Sequence, residues 1–281
     1  MNVLIAGAGG ILGRKLVERH LERGDNVTAH VLRAGELQGL EHPRLTVREG
    51  DVTQPARIRG LCDGQQRVVS CIGITRLKRR LTHEDVDYRG NLNLLREAER
   101  SCVRTFGFIS PAGIELDQGH VPLLAAKRRF EQELRRSRIG WVVFRSGGFF
   151  SDLAEMKKLA AKGPLFVIGD GSSRSTPIGV GDLAGLMLDG MDRRCNEVVE
   201  VGGPEHLTWM DICRTCFEVL NKPARVIRVP VWMCRAALPV IRPLSFRNYA
   251  MGQLLLFMST RDVCTPICGK LTLRDYLAQA K

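Results

Sequence analysis

The sequence predicts an α/β chain, a doubly wound parallel sheet with a small C-terminal capping subdomain, and three observations support this. Short β-rich runs alternate with helical patterns over the first 150 residues; a glycine-rich turn joins the first run to the first helix; beyond Arg145 the elements shorten and prolines become frequent. Strand–helix alternation of this kind produces right-handed crossovers and a parallel sheet covered on both faces. In order, VLIAGA reads as a buried strand, and LGRKLVERHLERG as a helix closed by Gly24. NVTAHVLR and RLTVREGD are the next two strands, IRGLCDG a short helix, RVVSCIG a fourth strand and YRGNLNLLREAERS a helix. RTFGFISPAG, AAKRRFEQELRRS and WVVFRSGG follow as strand, basic amphipathic helix and strand. The predicted division is residues 1–150 as a nucleotide-binding domain and 151–281 as elements that partly complete the sheet and form the cap.

Composition sets the outer limits. With 281 residues, 44% apolar and 26% charged, the chain is large enough to bury a core without disulfides or metal. Lys+Arg 42 against Asp+Glu 30 gives +12, which suits an acidic ligand, nucleic acid or anionic membrane. The basic residues are scattered, with local runs at Arg76–Arg80 and Lys127–Arg129, and no aromatic base-stacking platform interleaves with them; nucleic-acid binding is not expected. Nine cysteines without regular spacing read as reduced thiols. Cys213 and Cys216 form a CxxC inside a helical pattern with no second pair nearby, so no metal site is expected. No apolar run is long enough for a spanning helix. A cytoplasmic protein, monomer or homodimer, is expected, with peripheral membrane contact as an open alternative.

The turn Gly7-Ala8-Gly9-Gly10-Ile11-Leu12-Gly13 carries the functional prediction. Gly7 permits the tight turn, Gly10 lets the backbone approach a pyrophosphate, and Gly13 lets the helix pack close to the strand. Unpaired N–H groups and the positive end of the helix dipole then face the phosphates. This is the dinucleotide-binding arrangement of a Rossmann sheet. The second strand ends HVLR with Arg33, and no acid directly beside it. A guanidinium can pair a ribose 2′-phosphate, so NADP(H) is the expected cofactor.

Further stretches resemble the atypical short-chain dehydrogenase/reductases. They are GAGGILG, GDVTQP, VVSCIG, VDYRGNLNLL, KRRFEQEL, FRSGGFF, GDGSSRSTPIGVGDLA and VGGPEHLTWMDI. The chain is most similar to their NAD(P)H-binding branch, with NmrA-like, isoflavone-reductase-like and divinyl-reductase-like members and photosystem assembly factors. The resemblance implies that Asp51 and Val52 flank the adenine and that Ser70, Cys71, Ile72 and Gly73 run past the adenosine ribose. It implies that Ser110 lies near the nicotinamide, that Lys127 reaches its ribose, and that Ser146, Gly147 and Gly148 border its carboxamide. It gives Asn91 a supporting role.

One family element is missing. The usual Tyr-x-x-x-Lys pair would need a tyrosine at position 123, where Leu123 stands; the three tyrosines are Tyr88, Tyr249 and Tyr276. The ordinary tyrosine mechanism of carbonyl reduction is therefore not expected, and Lys127 with Ser110 remain the candidate catalytic residues. Three readings stay open: a reductase of a hydrophobic small-molecule acceptor, a non-catalytic NADP(H)-dependent sensor or assembly factor, and a non-redox isomerase or cyclase with structural NADP. Phe149, Phe150, Met156 and Trp232, with Phe166 and Met233, are candidates to line a substrate pocket or to form subdomain core. The apolar segment 230–259, interrupted by prolines, is expected as short pieces that cover the substrate mouth, form a dimer face or touch a membrane.

Overall fold

The computed structural model describes residues 1–74 and 81–280. The basic run Arg76–Arg80 lies outside them. In chain order the elements are β1 (Asn2–Ala6), α1 (Ile11–Glu22), β2 (Asn26–Val31), β3 (Leu45–Glu49), β4 (Arg67–Ser70), α2 (Asn91–Arg100) and β5 (Thr105–Pro111). Next come α3 (Pro122–Arg136), β6 (Gly140–Ser146), α4 (Phe150–Lys162), β7 (Leu165–Ile168), β8 (Arg174–Ser175), α5 (Val180–Arg193) and β9 (Glu197–Val201). The last are β10 (Leu207–Thr208), α6 (Trp209–Val219), β11 (Val226–Val229), α7 (Val231–Leu244), α8 (Phe246–Thr260) and α9 (Leu273–Gln279).

Seven strands form one sheet in the order β3-β2-β1-β4-β5-β6-β9. The registers of β1 with β2 and β4, of β2 with β3, and of β4 with β5 are parallel. This is the doubly wound α/β fold that the alternation predicts. Strand order reverses beside β1, between it and β4, and in such sheets the crevice at the carboxyl ends of those strands receives the ligand. β1 is buried from Val3 to Ala6, which explains an apolar run with no polar alternation.

The chain forms two compact units. The first comprises Met1–Ser110, Leu123–Arg145 and Ala184–Val199; the second comprises Pro111–Pro122, Ser146–Leu183 and Glu200–Lys281. Phe106, Phe108, Phe130, Leu94, Leu134 and Val143 lie in the core of the first, where the Phe130 ring meets Phe108 edge-on at 4.6 Å between centroids. Helix α5 contributes a reciprocal contact to this unit. A side chain at Gly107 on β5 would collide with Met191 Sδ at 2.7 Å, and one at Gly190 would collide with Phe144 Cε1 on β6 at 2.6 Å. The second unit has its own core of Phe150, Leu153, Leu165, Ile212, Phe217 and Leu273.

Two local expectations are corrected. IRGLCDG is not a helix: Pro55–Ile58 makes a single 3₁₀ turn and the rest is turns, since two glycines in seven residues weaken any helix there. The prolines of segment 230–259 do not break it into short pieces either, because α7 runs through Pro239 and Pro243. The carbonyls that lose a donor are those of Arg235 and Pro239. Both residues are exposed, so water can supply the missing bonds.

Candidate functional site

The loop after β1 is built as its glycines require. Gly7 takes φ +78°, and a Cβ there would press on the Cys71–Ile72 peptide at 3.1–3.2 Å. The ends of β1 and β4 thereby meet at the strand-order reversal, where the Cys71 N–H also donates to the Ala6 carbonyl at 2.8 Å. The Gly10 N–H donates to the Gly7 carbonyl at 3.1 Å, closing the turn. Gly10 caps α1 without a side chain, and the first turn holds no acid, leaving that helix end open to an anion. A Cβ at Gly13 would stand 2.2 Å from the Gly7 carbonyl oxygen. Ile11 is 60% exposed, whereas Leu12 is buried. A donor-rich turn of this kind suits the pyrophosphate of a dinucleotide.

Beside this loop the sequence reading needs a correction. Arg33 is exposed, but it does not stand without an acid nearby. A 3₁₀ turn over Ala34–Leu37 folds Glu36 back, so that its Oε2 accepts from the Leu32 N–H at 3.3 Å. The same oxygen would lie 2.3 Å from a Cβ on Gly9. A carboxylate therefore rests on the glycine loop at the end of β2, three residues beyond where the strand-end reading looked for it.

Asp51 and Val52 follow β3. The Asp51 carboxylate accepts from the Thr53 N–H and hydroxyl at 2.9 and 2.7 Å, while the buried Val52 offers its carbonyl to Asn93 Nδ2 at 2.9 Å. Ser70 at the end of β4 donates to Asn91 Oδ1 at 2.5 Å, and Asn91 Nδ2 donates to the Asp87 carbonyl at 2.9 Å. Burial pushes the Cys71 thiol up to about 12, against the pull of Lys127, so it stays protonated at neutral pH and is no nucleophile.

Lys127 sits at the centre of a buried polar cluster. It is only 7% exposed, although its helix reads as a basic, wet face. Its Nζ donates to the Ile109 carbonyl at 3.2 Å and the Ile72 carbonyl at 3.5 Å, and lies 4.7 Å from the centre of the Phe108 ring. Asp87, with 0% exposure, faces it: Oδ1 is 3.6 Å from Nζ, an ion pair slightly too long for a direct hydrogen bond, and Oδ1 has no hydrogen-bond partner. The other oxygen, Oδ2, is 3.0 Å from His83 Nδ1; a carboxylate only accepts, so this nitrogen carries the proton. Asp87 lies on a wide π-helical turn over Glu84–Gly90 that leads into α2. Such turns often accompany functional sites. At Gly73 a Cβ would fall 2.8 Å from Asp87 Oδ1 and 3.2 Å from Lys127 Nζ, so the glycine keeps the space over both groups clear. Ser110, next to Ile109, is 2% exposed and its hydroxyl has no partner. The sequence reading found Lys127, Ser110, Ser70, Asn91 and Gly73 and missed Asp87 and His83. Their spacing of four on one helical segment, ending in the quoted VDYRGN stretch, was the available signal.

Ser146, Gly147 and Gly148 belong to the second unit. There the Ser146 carbonyl accepts from the Ala112 N–H at 2.8 Å, and a Cβ on Gly147 would strike the Thr176 carbonyl oxygen at 2.4 Å. Phe150 is 1% exposed inside the second core, its ring 5.6 Å from that of Tyr276, so it packs and does not line a pocket. Met156 is partly buried against the same core. Phe149 is half-buried, and Trp232 is 70% exposed on α7. A pocket of about 520 Å³ in the second unit is lined instead by residues that include Leu116, His120, Arg235, Arg242, Tyr249 and Phe257, and by none of these four.

A family described as NAD(P)H-binding matches residues 7–189. The chain is 26% identical to the divinyl chlorophyllide a 8-vinyl-reductase of Arabidopsis thaliana, over 99% of this chain and 76% of that one. It is 25% identical to the photosystem II assembly factor Ycf39 of Trieres chinensis, over 84% and 74%. Among solved structures, an NADPH-dependent quinone oxidoreductase of Escherichia coli complexed with NADPH aligns with TM-score 0.73 at 16% identity, over 99% of both chains. A UDP-glucose 4-epimerase of Thermus thermophilus in complex with NAD aligns with TM-score 0.69 at 20% identity, over 82% and 86%. At these identities the two structures speak for the fold alone. The family match covers the glycine loop from Gly7 onward and the Lys127 cluster, and the chain belongs to the NAD(P)H-binding family.

Proposed function

We propose that the chain is an NADP(H)-dependent reductase of a hydrophobic small-molecule acceptor that works without the tyrosine of the Tyr-Lys pair. The buried Lys127–Asp87–His83 group carries this reading. It is an ammonium taken out of water, faced by a carboxylate and backed by an imidazole. Groups so placed are what proton transfer uses.

In this proposal Gly7, Gly9, Gly10, Ile11, Leu12 and Gly13 would hold the pyrophosphate and Arg33 the 2′-phosphate. Asp51, Val52 and the stretch Ser70, Cys71, Ile72 and Gly73 take the adenosine side. Lys127, Ser146, Gly147 and Gly148 take the nicotinamide side. The bound cofactor would supply a hydride. Lys127 supplies positive charge where an acceptor develops negative charge, and its Nζ can release a proton there. Asp87 orients the ammonium, and His83, bonded to the far oxygen of Asp87, holds that carboxylate in place. Ser110 offers a free hydroxyl next to the strand end. Glu36 acts against the 2′-phosphate by like charge, so the preference for NADP(H) is the balance of Arg33 over Glu36. The vinyl-reductase relative supports a flat, apolar acceptor with a polarised double bond.

The test is consumption of NADPH with a panel of hydrophobic enones and a vinyl tetrapyrrole. Turnover that disappears in Lys127→Met, with NADPH binding retained, supports the proposal. Tight NADPH binding with no turnover on any acceptor sinks it. That outcome would favour a second reading, a sensor or assembly factor whose partner affinity follows the bound nucleotide, which the match to the Ycf39 assembly factors supports. The protein's location is proposed as cytoplasmic.

A further inference from the structure

The pocket of about 520 Å³ in the second unit has the volume of a small-molecule site. No residue of the glycine loop or of the Lys127 cluster lines it. Helix α7 supplies one wall. Arg235, Leu238 and Arg242 lie three and four residues apart and so share one face of that helix. The face turns toward α8, where Leu238 Cδ2 stands 2.7 Å from a Cβ built on Gly252. Charged side chains ordinarily occupy the face of a helix that no other element covers. Here that outer face carries Trp232, Val240 and Leu244, all exposed, and the two arginines line the pocket. Arg261, just past the end of α8, adds a third guanidinium. None of the three makes an ion pair among the described residues; Asp262, next to Arg261, pairs with Arg174 at 3.3 Å. Asp117 is the one acid among the described lining residues. It is buried, and its carboxylate accepts from the N–H groups of Gly119, His120 and Val121 at 3.1–3.2 Å. The pocket therefore carries net positive charge. Arg242 lies over the Tyr249 ring at 5.6 Å, and Tyr249 Oη accepts from Gln253 Nε2 at 3.0 Å. These contacts hold the guanidinium without neutralising it. The rest of the wall includes Leu116, Leu256 and Phe257, and Leu116 is left 45% exposed.

We infer that this pocket binds a compact organic acid, an apolar body carrying one anionic group. The body lies against Leu116, Leu256 and Phe257, and the anionic group pairs with the arginines. Charge and apolar surface select this class together. An anionic oxygen gains charge-assisted hydrogen bonds from guanidinium groups. A bare inorganic ion would use those bonds but leave the apolar wall in water. A neutral apolar molecule would cover the wall but take water from the arginines and return no partner. The inference concerns the second unit alone and does not rest on the reductase reading or on any catalytic role for Lys127.

Fluorescence titration of the full chain tests it with two probes. One is 8-anilinonaphthalene-1-sulfonate, an apolar ring system with one anionic group; the other is N-phenyl-1-naphthylamine, the same rings without the sulfonate. The sulfonate probe should bind and stay bound when NADPH is added. Arg235→Gln with Arg242→Gln should weaken it at least tenfold and leave the neutral probe within about twofold. Leu116→Asp should weaken both. These three sites are exposed, so the fold, checked by circular dichroism, should persist. Val240→Ser with Leu244→Ser, on the outer face of α7, should leave both probes within about twofold, since neither residue lines the pocket. Decanoate should displace the sulfonate probe at least tenfold better than decanol does. No binding of the sulfonate probe, or equal weakening of both probes in the arginine pair, would overturn the inference. So would loss of the probe in the outer-face pair, or decanol that displaces as well as decanoate. Displacement by NADPH would also overturn it, because the dye would then occupy the glycine loop.

Discussion

Two glycine-to-alanine substitutions in helices of the first unit should act in opposite directions. In an open helical position, alanine is better than glycine by about 1 kcal/mol, because glycine has more backbone entropy to lose. Gly185, in α5, has nothing within 4 Å of an added Cβ, so Gly185→Ala should stabilise by about that amount. At Gly13, in α1, the added Cβ would sit 2.2 Å from the Gly7 carbonyl oxygen and 2.8 Å from Ala8 Cα. Both are main-chain atoms of a tight turn, so the helix or the loop must shift by about 1 Å, and overpacking of that kind costs about 3 kcal/mol. Subtracting the helix gain leaves Gly13→Ala less stable by about 2 kcal/mol, and the two variants should differ by about 3 kcal/mol. Urea unfolding followed by far-ultraviolet circular dichroism measures the difference. Dinucleotide affinity should fall with Gly13→Ala and stay unchanged with Gly185→Ala. If Gly13→Ala proved as stable as Gly185→Ala, the close approach of helix and loop would be wrong, and the dinucleotide cradle with it.

Other perturbations bear on charge. Burial is the main cause that lowers the pKa of both His20 and His30, so folding favours their neutral forms. Their stabilising effect is complete above the unfolded value near 6.5 and is lost as pH falls from there through the lower folded values. Stability should therefore drop on acidification below about pH 6.5, and His30→Gln should flatten part of that slope in a thermal-melt series. Burial works to raise the Asp25 carboxyl, but bonds from His20, the amino terminus and Arg23 outweigh it and bring it down to about 2. Its contribution is present above the ordinary carboxylate value and is lost as pH falls toward 2. Asp87→Asn leaves a buried ammonium without its counter-charge and should cost about 3 kcal/mol. It should also move the pH profile of any turnover, which a merely structural change would not do. Arg33→Asp should cost NADPH at least tenfold in affinity with little change for NADH, and Glu36→Gln should favour NADPH; equal changes for both cofactors, measured by calorimetry, would refute the 2′-phosphate assignment.

What the sequence made legible was local. Gly7, Gly10 and Gly13 declare themselves because strand, turn and helix are contiguous, and the apolar run ending at Ala6 marks β1 as a buried strand. Lys127 could be found only through the resemblance, since KRRFEQELRR alone reads as a wet helix face. Its partner Asp87 lies forty positions away in sequence and meets it only after α2 and α3 have packed on the sheet. Glu36 lies beyond the strand end in sequence, and only the 3₁₀ turn brings it back to the glycine loop. The helical course of α7 escaped for a different reason. Proline rules describe hydrogen bonds that must be made within the protein, and at Arg235 and Pro239 the bonds can go to solvent.

The paired contacts of α5 have a mechanical consequence. Met191 enters the gap left by Gly107, and Phe144 enters the one left by Gly190, so adjacent helix residues act as peg and socket toward neighbouring strands. Two such fittings of opposite sense act like dowel pins: sliding the helix by one residue, or turning it on its axis, would drive Phe144 into a full-sized side chain. The helix is thus indexed against the sheet at one setting. Because β9 begins only four residues after α5 ends, the last strand is delivered to the sheet edge already in step.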